Sequence, residues 1–269
     1  PLSIVQFGLN YERKPFNTEE VRRAVSLAID RQSIVDTVLL GQGRAGLTGY
    51  PHPDSPWTNP DLSTPYDTAK ATEILDSLGY KDTNNDGFRE TPEGETLRMN
   101  TIVSASEPVY VRVAEMLKEQ LKEIGLQFEV EAMDATTYAA ANSEDNLDTY
   151  VSLIGPHGVA DPDQFIMSHR ASYLWTKDIA YPAMDTLIED WMAASTIEDR
   201  KAISFDMQEL YNNQPTAIAL YYPEEVFAYN ATVYDQYVES LGYGIVHKYS
   251  FLPEETRQAV SATAPKFVE

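Results

Sequence analysis

The first part of the chain alternates between apolar blocks and polar stretches, in a pattern that predicts one strand and three helices. The apolar block at residues 4–9 predicts a strand. Apolar residues recur three and four positions apart in the segments that predict helices: 18–30, 32–40 and 67–77. Gly41 follows the second helix, as glycine often follows a helix end. Residues 41–66 are rich in glycine and proline, which predicts a long ordered loop.

Residues 97–132 carry the most regular pattern in the chain. Apolar residues alternate with polar ones in 97–103 and again in 128–132, which predicts two strands. Between them, 109–124 carry an apolar stripe at helical spacing, closed by Gly125. Strand, helix and strand in succession form a βαβ unit, which implies parallel strands joined by a right-handed crossover.

The rest of the chain continues the alternation. Residues 150–154 (YVSLI) predict a buried parallel strand, and 218–222 predict a later strand. Two helices are predicted between them, and the second would open with a capping box, Ser195-x-x-Glu198. Together the elements predict an α/β lobe in which helices flank a mostly parallel sheet.

Composition narrows the possible partners. The chain has 269 residues, a net charge of −22 and no cysteine. A strongly negative field repels nucleic acid and anionic membrane surfaces, so neither is expected as a partner. The absence of cysteine excludes disulfides and thiolate metal sites, and it fits an exported protein as well as a cytosolic one.

The stretch DTNNDGFRETPE (82–93) matches the calcium-loop pattern D-x-[DN]-x-[DN]-G-x5-E. The predicted ligands are the side chains of Asp82, Asn84 and Asp86, the backbone carbonyl of Phe88 and a bidentate Glu93. A strand rather than a helix follows the loop, and the loop occurs once, so a helix-flanked calcium switch is not expected. Two interpretations stay open: a structural calcium site that pins a helix-to-strand connection, or an Asx-rich turn.

Other motifs give no support to an enzyme. GQGRAG (41–46) has the glycine spacing of a dinucleotide fingerprint, but it follows a helix and precedes a proline-rich loop instead of linking a strand to a helix. The four histidines show no metal-ligand spacing, and nucleophile-elbow, P-loop and zinc-protease motifs are absent from the sequence. The sequence therefore predicts no catalytic residues and no required cofactor.

Several long segments together resemble family 5 of the extracellular solute-binding proteins, which serve ABC importers of the peptide/nickel type. PFNTEEVRRAVSLAIDRQSIVDTVLLGQGRAG (15–46) is similar to that family's segment ending in A-I-D-R. PYDTAKATEILDSLGYKDTNNDGFRE (65–90) resembles its Y-D-P-x-K-A helix, and ADPDQF (160–165) its Asp-Pro segment. Residues 181–230 resemble its closing helix pair and following strand. The resemblance runs from about residue 9 to 230.

The resemblance implies a lobe of the type II periplasmic-binding-protein class. Residues 1–242 would be the second of two ligand-binding lobes, and 243–269 a tail returning toward a first lobe missing from this fragment. The chain would hold half of a cleft that captures a peptide or other small solute outside the cytoplasmic membrane, without inserting into it. The permease subunits of the importer would be its protein partners. The alternatives are a calcium-stabilised structural or adhesion module and, with less support, a hydrolase.

In open parallel sheets, ligands bind beyond the carboxyl ends of the strands. This rule selects residues after the strands 150–154 and 218–222 as solute contacts: Gly155, Pro156, His157, Asp161, Tyr221 and Tyr222. Two alternatives stay open, because Tyr221 would also suit the core and Asp161 would also suit a helix cap.

One departure from the family pattern bears on the solute. Peptide-binding members often carry Gly-Trp and an acidic residue before Asp-Pro, and the acid pairs with the amino terminus of the peptide. Residues 155–160 (GPHGVA) hold neither tryptophan nor acid. A peptide held by its free amine is therefore in doubt, while a sugar, a modified peptide or another metabolite stays open.

Overall fold

The computed structural model describes residues 3–47, 51–143, 147–154, 182–224, 226–238 and 245–256. The strands of its sheet are β1 (Ile4–Leu9), β2 (Gly43–Ala45), β3 (Arg98–Ser104), β4 (Gln127–Met133), β5 (Thr149–Ile154) and β6 (Ala217–Pro223). The helices are α1 (Glu19–Leu27), α2 (Arg31–Val38), α3 (Thr68–Ser77), α4 (Pro108–Lys122), α5 (Ala135–Ser143), α6 (Pro182–Ala193) and α7 (Ile197–Asn213). A short 3₁₀ turn spans Lys248–Phe251.

The strands form one mixed sheet in the order β2-β6-β1-β5-β3-β4. The pairs β3–β4 and β3–β5 are parallel, which confirms the βαβ unit. The pairs β1–β5, β1–β6 and β2–β6 are antiparallel, so the prediction of a mostly parallel sheet is wrong. The reason is that β1 lies between β5 and β6 and runs opposite to both. As a result β3, β4, β5 and β6 share one direction, and β1 and β2 run the other way.

The main core lies between one face of the sheet and helices α1 to α4. Apolar residues of all four helices pack there against strand residues such as Val5, Phe7 and Val151. The opposite face, here called the second face, carries a small cluster of Ile4, Ala219 and Tyr222. Helix α7 anchors a loop there, because the Gln208 side chain donates to the Trp57 carbonyl at 2.8 Å and accepts from the Asn59 amide at 2.9 Å.

Helix starts follow local capping chemistry. Asp30 caps α2 and accepts from the Ser33 amide at 3.0 Å, so the first predicted helix ends before it, at Leu27. Asp67, the first residue of the predicted helical segment 67–77, caps α3. The predicted capping box is displaced by one residue, because Thr196 accepts from the Asp199 amide at 3.0 Å and is the true cap of α7.

Two elements lie where none was predicted. Strand β2 falls inside the supposed loop 41–66, and α5 follows β4 directly. Strand β2 has only three residues, too few to show a periodic pattern. Helix α5 (ATTYAAANS) has apolar residues on all sides, so it carries no amphipathic stripe that could predict it.

Candidate functional site

Strands β3, β4, β5 and β6 end at one edge of the sheet, here called the carboxyl edge. Their last residues are Ser104, Met133, Ile154 and Pro223. Helices α4 and α5 begin just beyond β3 and β4, and the Ala105 amide donates to the Met133 carbonyl at 2.7 Å, which ties the two strand ends together. Sheets of this kind bind ligands at such an edge, so the topology supports the predicted location of a site.

Four tyrosines from four elements lie close enough to one another to interact electrostatically. This tyrosine series consists of Tyr221 on β6, Tyr110 on α4, Tyr138 on α5 and Tyr150 on β5. Their hydroxyls are close enough for each phenolate charge to raise the pKa of the next: Tyr110 acts on Tyr221, and Tyr138 acts on both Tyr110 and Tyr150. Sequence patterns single out only Tyr221 among the four, because the members of the series are far apart in the chain.

Burial keeps these hydroxyls protonated. Burial is the main cause that raises the pKa of Tyr150 to about 12, and it also raises the pKa of Tyr110, Tyr138 and Tyr221. Tyr138 is hydrogen-bonded to Ser152. The series therefore offers uncharged hydroxyl groups at any physiological pH.

A glycine in the middle of β1 makes room for the inner end of the series. A Cβ added to Gly8 would lie 2.1 Å from a ring atom of Tyr150, so only glycine lets the ring lie across β1. Gln6, two residues earlier on the same face, donates from Nε2 to the Tyr150 hydroxyl at 3.2 Å. One face of β1 therefore accommodates the Tyr150 ring, and the other face contributes to the main core.

Tyr221 and Tyr222, which the sequence predicts as solute contacts, are each only 1% exposed in this lobe. Tyr221 packs in the main core, and Tyr222 lies on the second face. A β-bulge sets this arrangement: Val5 pairs with Tyr221 but Gln6 pairs with Ala219, so Leu220 is an extra residue. The contact of either ring with solute stays a prediction.

Tyr222 is covered by a polar group from the loop after β2. His52 meets its ring edge-on, with centroids 4.9 Å apart. The Asp54 amide lies 3.2 Å from His52 Nδ1, and Arg44 binds the Asp54 carboxylate through two hydrogen bonds of 2.9 and 2.7 Å. Burial lowers the pKa of His52 to about 4, so the ring is neutral at pH 7 and Nδ1 accepts the amide proton.

Gly155, Pro156, His157 and Asp161 lie outside the described residues. Their contact with solute stays a prediction.

In the acidic loop 82–93, carboxylate side chains accept hydrogen bonds from backbone amides of the same loop. Asp82 accepts from the amides of Asn85 at 2.7 Å and Gly87 at 2.9 Å, and Asp86 accepts from the Phe88 amide at 2.8 Å. Gly87 has a φ of 92°, which a side chain would strain. These Asx turns aim the carboxylates inward.

The carboxylates that the structure brings together differ from the predicted set by one residue. Oxygen atoms of Asp82, Asp86 and Glu90 lie within 4.8 Å of one another, while the predicted Glu93 is exposed and lies 3.9 Å from Lys14 Nζ. Lys81 and Glu90 form an antiparallel bridge that turns Glu90 toward the loop. Its carboxylate accepts from the amide and hydroxyl of Thr83 at 2.8 and 2.7 Å.

The loop could hold a divalent cation by its donor chemistry. Calcium prefers six to eight oxygen ligands in irregular geometry, and this loop supplies three carboxylates and the side-chain and backbone oxygens of Asn84 and Phe88. The loop lies between α3 and β3, on the side where β3 begins, which is opposite the carboxyl edge.

The proteins that resemble this chain in sequence are solute-binding proteins. The sequence model of the bacterial extracellular solute-binding proteins, family 5 Middle, matches residues 1–176. The oligopeptide-binding protein AppA of Bacillus subtilis is 30% identical over 243 residues, which cover 84% of this chain and 42% of AppA. The glutathione-binding protein GsiB of Salmonella typhimurium is 32% identical over 140 residues, which cover 51% of this chain and 25% of GsiB.

Solved structures show the same fold. AppA in complex with a nonapeptide has a TM-score of 0.70 at 26% identity, over 82% of this chain and 45% of that one. A mannohexaose-bound periplasmic oligopeptide-binding protein of Thermotoga maritima has a TM-score of 0.72 at 22% identity, over 82% and 44%. This chain thus spans less than half the length of these relatives. Among the described residues, no helix is both long and apolar enough to cross a bilayer. The chain belongs to family 5 of the bacterial extracellular solute-binding proteins.

Proposed function

We propose that this chain is a solute-binding lobe of the substrate-binding component of an ABC importer, acting outside the cytoplasmic membrane. The observation that carries the proposal is the carboxyl edge of a family 5 fold, where four strands end and helices α4 and α5 begin. AppA, a relative at 30% identity, is an oligopeptide-binding protein, which supports a peptide or another small solute as cargo.

The proposed mechanism is non-covalent. This lobe supplies half of a cleft, and the part of the protein that corresponds to the remaining length of the relatives supplies the other half. Closure of the two lobes buries the solute, and the closed form docks on the permease subunits. Because binding releases no covalent product, the site needs hydrogen-bond donors, acceptors and ring surfaces instead of nucleophiles.

The segment beyond β6 is proposed to lead away from this lobe. The described residues 226–238 and 245–256 pack on each other: the rings of Tyr234 and Phe251 stack 5.8 Å apart, and Ser250 Oγ accepts from the Val238 amide at 3.0 Å. Phe251 is 59% exposed and Val233 80%, which suits a segment that meets another part of the protein. We propose a boundary near residue 224 on the basis of this packing, and the boundary predicted at residue 242 stays a prediction.

Calcium is proposed as a structural ion in the acidic loop, with Asp82, Asp86 and Glu90 as its carboxylate ligands. The loop lies on the opposite side of the sheet from the carboxyl edge. Occupancy would therefore pin the connection from α3 to β3 without a role in solute choice. The family consists of solute-binding proteins, and neither the hydrolase nor the adhesion alternative has support among the relatives.

The test uses the full-length protein that contains this chain. Peptides, oligosaccharides and nickel–histidine complexes are screened by thermal shift, and hits are titrated by calorimetry. We expect at least one solute to raise the melting temperature and to bind with one-to-one stoichiometry. The 269-residue chain alone, with half of the contacts, should bind the same solute far more weakly. No response to any solute, or equal affinity for the isolated chain, contradicts the proposal.

A further inference from the structure

We infer that Asn230 is a glycosylation site, whose side-chain amide takes an oligosaccharide from a lipid-linked donor. Asn230-Ala231-Thr232 matches the acceptor pattern N-x-[ST], in which the middle residue is not proline. The pattern occurs once in the 269 residues. The inference goes beyond solute binding, but it depends on the extracytoplasmic location in the proposed function, because this modification belongs to surface loops of exported proteins.

The structure gives the acceptor pattern the surface position that it requires. Asn230, Ala231 and Thr232 are all exposed. They begin a single helical turn, since the Asn230 carbonyl accepts from the amides of Val233 and Tyr234 at 3.0 and 3.1 Å. An oligosaccharide is bulky and hydrated, so it can be carried only where the chain faces solvent.

The two side chains that define the pattern are in contact. Asn230 Oδ1 accepts from the Thr232 amide at 3.0 Å and from the Thr232 hydroxyl at 2.7 Å. A backbone amide can only donate, so the atom that faces Thr232 is the oxygen, and Nδ2 of the same planar amide points elsewhere. Within the part of the chain that the structure describes, no hydrogen bond engages Nδ2. The oxygen therefore holds the turn, and the nitrogen is left to react.

The proposed step is a group transfer without oxidation or reduction. Nδ2 forms a bond to the anomeric carbon of an oligosaccharide carried on a lipid phosphate or diphosphate. The bond from that carbon to the phosphate oxygen breaks, and the carrier leaves with the electron pair. Nδ2 loses one of its two protons, so an N–C bond replaces an N–H bond. Oδ1 keeps both hydrogen bonds from Thr232, and the modified turn needs no new conformation.

Aromatic rings on both sides of the pattern pack on each other. The Tyr229 ring lies 4.7 Å from the Tyr237 ring, and the Tyr234 ring lies 5.0 Å from it. Tyr234 also stacks on Phe251 at 5.8 Å. The residue before the pattern and one just after it are therefore engaged in one cluster, and the three residues between them stay on the outside.

The experiment uses the full-length protein, produced in the organism that encodes it and recovered from outside the cytoplasmic membrane. Intact mass reports the sugar, and fragmentation of the peptide that holds Asn230 reports which residue carries it. The variants are Asn230→Gln, Ala231→Pro and Thr232→Ser. Asn17→Gln is the matched control, because Asn17 is also exposed but Thr18 follows it one position too early for the pattern.

We expect the parent protein to carry an oligosaccharide on Asn230 and Asn230→Gln to lose that mass completely. Ala231→Pro should lose it as well, although both side chains of the pattern remain. Proline is tolerated at the first position of a helical turn, so this variant keeps the fold. Thr232→Ser and Asn17→Gln should keep the sugar. Solute binding by each variant shows that it is folded.

An unmodified Asn230 in the parent protein overturns the inference, and coverage of this turn by the rest of the protein would produce that result. A sugar mass that persists in Asn230→Gln, or that lies on Thr232, also overturns it. If the unmodified protein binds solute, the proposed function stands and only this inference fails. A glycosylated protein that binds no solute is the reverse case.

Discussion

Arg31 donates a hydrogen bond from Nε to the carbonyl oxygen of Ala219 at 2.9 Å, at the bulge of β6. A Cβ added to Gly46 would lie 2.1 Å from the same oxygen, so this carbonyl points away from β1 toward the loop after β2. The rest of the guanidinium bonds the Ser26 carbonyl and hydroxyl at 3.1 and 2.8 Å. Arg31 thus links the end of α1, the start of α2 and the bulge that orients Tyr221.

Replacing Arg31 by methionine should destabilise the lobe. The guanidinium is buried, which lowers its pKa to about 10, yet it stays charged at neutral pH. The variant keeps the apolar stem but leaves the Ala219 carbonyl unsatisfied, which costs about 1–3 kcal/mol. That corresponds to a melting temperature lower by several degrees, measured by circular dichroism. Arg23→Met, on the exposed side of α1, is the control, and an equal effect of both variants contradicts the assignment.

Calcium should raise the melting temperature of the protein, and a chelator should reverse the effect. An ion that binds only the folded form adds about 2.7 kcal/mol at a hundredfold excess over its Kd. Glu90→Gln and Asp86→Ala should abolish the response, while Glu93→Gln should keep it, because Glu93 lies outside the carboxylate group. Melting curves that ignore both calcium and chelator identify the loop as an Asx-rich turn. A response lost in Glu93→Gln instead restores the ligand set predicted from sequence.

His52 should make the protein less stable as the pH falls. Its pKa is about 4 in the folded protein and about 6.5 in the unfolded chain. Between these values the unfolded chain binds a proton that the folded protein does not, so stability declines from about pH 6.5 toward pH 4. His52→Asn keeps an acceptor for the Asp54 amide but does not titrate. Its denaturant midpoint should fall less steeply over this window, and parallel pH profiles of variant and parent would refute the role of His52.

Salt should stabilise the protein. A net charge of −22 makes the folded chain repel itself, and ions screen that repulsion over about 10 Å at 0.1 M salt. Melting temperature should therefore rise as sodium or potassium chloride increases from low to moderate concentration. An equal rise with a neutral osmolyte at matched osmolarity would remove the electrostatic explanation, and a fall with salt would reverse it.

The sequence by itself determined the local elements and the family. The strand Ile4–Leu9 and the βαβ unit from β3 to β4 agree with the predicted segments, because side-chain periodicity records which face of each element is buried. Asp67 as the cap of α3 is equally local, since it depends on a bond to Lys70 three residues away. The order of segments carried the family resemblance.

Tertiary structure alone decided the directions of the strands and the composition of the site. The pairing of Phe7 with Val151 sets β1 antiparallel to β5, and no pattern within either strand encodes that partner. The same holds for the bulge at Leu220, which decides that Tyr221 and not Tyr222 faces the main core. It holds also for Tyr110 and Tyr138, whose electrostatic interaction depends on how α4 and α5 are placed. Short-range periodicity fixes which side of an element is buried, whereas contacts between distant segments fix what it is buried against.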